Sequence, residues 1–140
     1  MNIPPQINSD PSKANADALK THDPRVGVCA RGADTVTKKP MIAYLVDMAW
    51  VRDNVWQDAT EGGNSQRYPW IPSGEYWIDE SNINEADFIL AHETAEDMEM
   101  RDEKMDYGTA HSTGANEIEY EMRHNPEKRI EILRSLGWQV

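Results

Sequence analysis

Cysteine and long apolar runs are both scarce in this sequence. Its 140 residues include one cysteine, Cys29, which excludes an internal disulfide and a cysteine-rich zinc ribbon. The longest apolar-leaning run, residues 41–50, contains Asp47 and is about half as long as the roughly 18 residues of a membrane span. The first ten residues lack the basic and apolar regions of a secretory signal. We therefore expect a cytoplasmic protein without a membrane partner.

Basic residues are also few. The chain has 14 Lys and Arg against 25 Asp and Glu, a net charge of -11, and 14 of the acidic residues lie between positions 79 and 123. Binding to a phosphate backbone requires clustered Lys and Arg, so nucleic acid is not an expected partner. Carboxylates remain available as metal ligands. An acidic chain could also mimic a nucleic acid and bind a basic cleft on another protein.

The length fits one domain. Residues 1–24 contain four prolines and predict a flexible tail, so the domain is expected to span residues 25–140. Strands are predicted at residues 25–30, 41–47 and 75–79, a short helix at 49–56, and a loop at 58–65 around two glycines. The last strand has Trp77 on one face and Tyr76 and Ile78 on the other. It is either a core strand or an edge strand that binds extended peptide.

Three helices are predicted to follow the strands. The first spans about residues 84–104, and the second spans 107–124 with Asp106 as its cap. The third begins at the pair Asn125 and Pro126 and ends at Gly137. Strands first and helices last indicate an α+β fold, with a small twisted sheet packed on the first helix and two further helices after it.

The first long helix contains the sequence HETAE at residues 92–96. His92 and Glu96 are four residues apart, so they share a helix face at the edge of an apolar stripe. An antiparallel return of the next helix would bring His111 to them. Two His and one Glu form a common set for catalytic Zn²⁺ with an open position for water. Glu93, about 100° around the helix, is then the candidate general base. On so acidic a helix the His-Glu pair could instead be a solvated pair.

Three segments together resemble a known family. They are the strand WIPSGEYWID at residues 70–79, the HETAE helix, and YGTAH at residues 107–111. This combination resembles the small zincin-like metallopeptidases of bacteriophages and mobile elements, over about residues 41–124. The resemblance implies a zincin-like fold, with His92, Glu96 and His111 as zinc ligands and Glu93 as catalytic base. It also implies a peptide or protein substrate and, for a phage-encoded protein, the host cytoplasm.

Some interpretations stay open. Tyr107 could donate a hydrogen bond to a developing oxyanion, or simply pack. One of Glu117, Glu119 and Glu121 could orient His111, or all three could form a solvated face. Because Glu96 replaces the second His of ordinary gluzincins, the zinc would be a weaker Lewis acid. The hypotheses are therefore a zinc hydrolase, a protein with structural zinc, and an acidic binding protein or inhibitor.

Overall fold

The structure, a computed structural model, describes residues 10–140. Its strands are β1 (Arg25–Ala33), β2 (Pro40–Val46), β3 (Gly62–Asn64) and β4 (Glu75–Asp79). Its α-helices are α1 (Met48–Asn54), α2 (Ala86–Asp102), α3 (Tyr107–Ala110), α4 (Asn116–His124) and α5 (Arg129–Ser135). The strands form one mixed sheet in the order β1-β2-β4-β3, in which β2 and β4 are parallel and the other neighbours antiparallel. The α+β class is confirmed.

Strand β2 lies inside the sheet and is covered on both faces, as its apolar pattern predicts. In register, Ala43 pairs with Tyr76 on the face toward α2, while Tyr44 pairs with Trp77 on the opposite face. Strand β4 lies between β2 and β3. The core-strand interpretation of residues 75–79 is therefore right, and the edge-strand interpretation is wrong. The edge strand beside the helices is β3.

The prediction of a loop at residues 58–65 is wrong for residues 62–64, which form β3 and pair with β4. Gly62 and Gly63 in β3 have no room for a side chain. A Cβ on Gly62 would lie 2.6 Å from Cγ2 of Ile89 in α2, and one on Gly63 would lie 2.7 Å from the ring of Tyr68. Both distances are shorter than real contacts, so only glycine lets β3 approach its neighbours this closely.

This close approach predicts a stability effect. Gly62→Ala should lower the free energy of unfolding by about 1–3 kcal/mol, because the added methyl group overpacks the contact between β3 and α2. Gly27→Ala is the matched control, since a Cβ there would have nothing within 4 Å. Urea unfolding of both variants measures the difference. Equal midpoints would contradict the packing argument.

The helical layer follows the prediction with shifted boundaries. A 3-10 helix, Glu80–Glu85, precedes α2 because Asp79 accepts a hydrogen bond from the backbone of Ser81 at its start. Helix α2 thus begins two residues later than predicted, and it ends at Asp102. Trp138 packs back after Gly137, and its indole N–H donates to Thr94 Oγ1 at 2.9 Å. No helix within residues 10–140 is both long and apolar enough to cross a membrane.

The second long helix, expected at residues 107–124, is interrupted. Between α3 and α4 the chain forms one π-helical turn, His111–Ala115. The interruption was not predicted, because nothing in the helical pattern distinguishes a π turn from an α turn.

Residues 10–20 lie against the face of the sheet opposite α2. Two 3-10 helices, Pro11–Lys13 and Ala16–Lys20, lie there, and Asn15 N–H donates to the carbonyl of Val55 at 2.9 Å. Leu19 packs on the apolar cluster around Trp77. The described part of the expected tail is therefore in contact with the domain, while residues 1–9 lie outside the described residues.

Candidate metal centre

Helix α2 buries the polar residues of its middle turns. His92, Glu93 and Glu96 are 7%, 8% and 1% exposed. They are enclosed because β3 and β4 pack on one side of α2 and the segment from α3 to α4 packs on another. Burying an ionisable side chain is costly unless it has a partner. The partners of these three residues therefore determine what the site can do.

His92, Glu96 and His111 converge on one point, as predicted from their spacing. Nδ1 of His111 lies 3.1 Å from Nε2 of His92 and 3.0 Å from Oε2 of Glu96, and the latter two atoms are 3.4 Å apart. A ring nitrogen carries at most one hydrogen, so it could serve both partners only through one shared, weaker hydrogen bond. By contrast, ligand atoms around a tetrahedral zinc ion are about 3.3 Å apart, given bonds of about 2.0–2.1 Å. The donor set and its spacing fit Zn²⁺.

Asn64, at the end of β3, is the main residue that the sequence analysis missed. Its Nδ2 donates to Oε1 of Glu93 and to Oε1 of Glu96, each at 3.0 Å. It is fully buried. The contact spans 29 and 32 residues, so no local spacing could have indicated it. The two glycines before it were the available signal, because they allow β3 to reach α2.

Glu119 lies behind His92 on the side away from the other ligands. Its Oε1 is 3.2 Å from Nδ1 of His92, close enough for an ionic contact but not directed as a hydrogen bond. Arg123 holds the other oxygen at 3.0 Å and also binds Glu85. The expectation that one of three acidic residues orients His111 is corrected to Glu119 beside His92. Glu117 and Glu121 are exposed, as a solvated face predicts.

The π turn explains why one helical segment can deliver both His111 and Glu119 to α2. On an uninterrupted α-helix, positions 111 and 119 would be about 80° apart around the axis. A π turn takes up one extra residue. Glu119 therefore lies at nearly the angle of a position seven residues on, about 20° from His111. Both side chains can then face His92.

Tyr107 lies next to the ligands, at the start of α3. Its ring is 5.4 Å from the ring of His111, and the guanidinium of Arg67 lies 4.0 Å from its centre. Burial, together with the charges of Glu96 and Glu93, raises the pKa of Tyr107 above its ordinary value, so the hydroxyl stays protonated. These contacts show the packing role. The oxyanion role stays a prediction.

The carboxylates around His92 favour the positively charged form of its imidazole. Burial alone would lower the pKa of His92, but the contacts with Glu119 and Glu96 raise it to about 10. Burial raises the pKa of Glu93 above its ordinary value, and the charge of Glu96 adds to the effect. Burial also opposes ionisation of Glu96, yet the two imidazoles lower its pKa overall. A metal ion bound here would replace the proton that His92 otherwise holds, and the ionised carboxylate of Glu96 would favour it.

A second polar network fixes the C-terminal half of α2. The hydroxyl of Tyr76 in β4 donates to Asp97 at 2.5 Å. Arg101 binds Asp97 at 3.2 Å and Asp34, in the turn between β1 and β2, at 2.6 Å. Because Asp97 directly follows Glu96, this network ties the ligand-bearing turn to the sheet.

A cleft of about 490 Å³ opens onto the site. Besides His92, Glu93 and His111, it is lined by Thr60, Glu61, Gly62, Ile89, Asn116 and Glu119. His92, His111 and the candidate base Glu93 thus border the cleft, whereas Glu96 is buried behind them. No protein-family model, curated protein or solved structure matches this chain. Interpretation of the site therefore depends on its own geometry and chemistry.

Proposed function

We propose that the protein is a zinc-dependent hydrolase of metallopeptidase type, acting on a peptide or protein substrate. The observation that carries the proposal is the convergence of His92, Glu96 and His111 at 3.0–3.4 Å beside a cleft that Glu93 also lines. Bound zinc would supply Lewis acidity and a water molecule of lowered pKa. The zincin-like relationship suggested by the sequence is part of the same proposal.

The residues of the chain have separate roles in this proposal. His92, Glu96 and His111 hold the metal. Glu93, which lines the cleft beside the ligands, accepts a proton from the attacking water. Tyr107, kept protonated by its surroundings, is a candidate hydrogen-bond donor to the oxyanion.

The two alternatives receive less support. Of the acidic residues between 79 and 123, Asp79, Glu93, Glu96 and Asp97 are buried, so they cannot contribute to a surface that mimics a nucleic acid. A purely structural zinc ion is usually enclosed by four protein ligands. The described residues provide three, and the cleft leaves the side chain of His111 24% exposed.

Chelation tests the proposal. Removing zinc with a chelator should abolish hydrolysis of a peptide library, and Zn²⁺ but not Mg²⁺ should restore it, since imidazole ligands favour zinc. The melting temperature should also fall by about 10 °C, because zinc at a hundredfold excess over its Kd stabilises the folded state by about 2.7 kcal/mol. Hydrolysis that persists after complete metal removal would contradict the proposal.

A further inference from the structure

Every hydrogen-bonding group of the Asn64 side chain is used. While Nδ2 donates to Glu93 and Glu96, Oδ1 accepts from the backbone N–H of Gln66 at 3.0 Å and of Arg67 at 3.1 Å. A carboxamide has two N–H donors and one acceptor oxygen. Since only the oxygen can accept from backbone N–H groups, the turn at residues 64–67 fixes which end of the amide faces the carboxylates.

This orientation leaves Oε2 of each glutamate without a bond to Asn64, and the two Oε2 atoms face different groups. Asn64 binds Oε1 of Glu96, which leaves Oε2 as the atom that lies 3.0 Å from His111 and 3.4 Å from His92. It also binds Oε1 of Glu93, and Oε2 of that residue lies toward Gly62 in the cleft wall. Two buried carboxylates this close repel each other. One amide between them stabilises both in fixed rotamers.

We propose that Asn64 is a positioning residue that separates the roles of the two carboxylates. By holding Oε1 of Glu96, it leaves one oxygen for the metal instead of two. By holding Oε1 of Glu93, it fixes the base beside the ligands with its other oxygen toward the cleft. The part concerning Glu93 rests on the proposed hydrolytic function, whereas the part concerning Glu96 requires only metal binding.

The substitution Asn64→Asp tests this with little change in shape. Its oxygen still accepts from the N–H groups of Gln66 and Arg67, but both donors to the glutamates are lost. In the zinc-loaded protein kcat should fall about 10–100-fold, with KM close to that of the parent. Asn54→Asp is the control, because it adds the same charge on α1, where Asn54 is exposed and donates to the carbonyl of Trp50. Asn64→Ser, which removes the same donors without adding a charge, is measured beside it, and parent-level kcat in both variants would overturn the proposal.

A spectroscopic measurement separates this proposal from the proposed function. With Co²⁺ in place of zinc, Asn64→Asp should change the visible absorption bands, because Glu96 regains its second oxygen as a ligand. A parent protein that hydrolyses no peptide would contradict the proposed function, while a changed Co²⁺ spectrum would still support the role of Asn64. An unchanged spectrum would overturn that role. If circular dichroism shows that Asn64→Asp does not fold, the spectrum of Asn64→Ser decides, since serine lacks the Nδ2 group that bridges the two glutamates.

Discussion

Glu93→Gln should abolish hydrolysis while the zinc content stays at the parent level. The expected loss is about 10²–10⁴-fold in kcat, the usual contribution of a positioned general base. The amide is close in shape to the carboxylate and its oxygen can still accept from Asn64, so the contact between β3 and α2 remains. The measurement is hydrolysis of a peptide library together with metal analysis of the same preparation.

The control for Glu93→Gln must remove the same charge without touching the site. Glu103→Gln does so, because Glu103 is exposed at the C-terminal end of α2. Glu99 is unsuitable, because its carboxylate fills the space beside Gly114 in the π turn. An acidic binding protein would be affected by the substitution at exposed Glu103 at least as much as by the one at buried Glu93. Equal activity of both variants would remove Glu93 from the catalytic role.

His92→Ala and His111→Ala should each remove bound zinc. Each substitution takes one of three protein ligands, so metal content after dialysis should fall from about one ion per chain to near zero. His124→Ala is the matched control, since that imidazole stacks on exposed Tyr120 in α4. Elemental analysis by mass spectrometry measures all three. Zinc retained by both His92→Ala and His111→Ala would show that the ligands are elsewhere.

The parts of the fold that sequence predicted are those with a local period. The alternation in residues 75–79 placed Tyr76 and Ile78 on one face of the strand and Trp77 on the other. The four-residue spacing placed His92 and Glu96 on one face of α2. His111 followed from an antiparallel return, which short connections between helices favour. Each prediction used geometry that neighbouring residues determine.

The features that the sequence did not predict depend on contacts between residues distant in sequence or on irregular helical turns. Asn64 reaches the site because β3 pairs with β4, and three residues around two glycines are too short to be recognised as a strand. Glu119 was expected beside His111 but lies beside His92, because the expected helix had no π turn. Pro11 and its neighbours read as a tail because their prolines exclude α-helix, yet 3-10 helices accommodate them against the core.

The π turn also has a consequence for chain length. Its extra residue, which the wider turn absorbs, keeps Glu119 near the angular position of His111. A chain with one residue fewer between positions 112 and 118 would reach the same arrangement with a continuous α-helix, the carboxylate then being seven residues after the imidazole. Loss of two residues would instead rotate the carboxylate by about 100° away from His92. Related sequences that preserve the site should therefore place this pair either seven or eight residues apart, and the interval by itself should indicate whether the helix is regular.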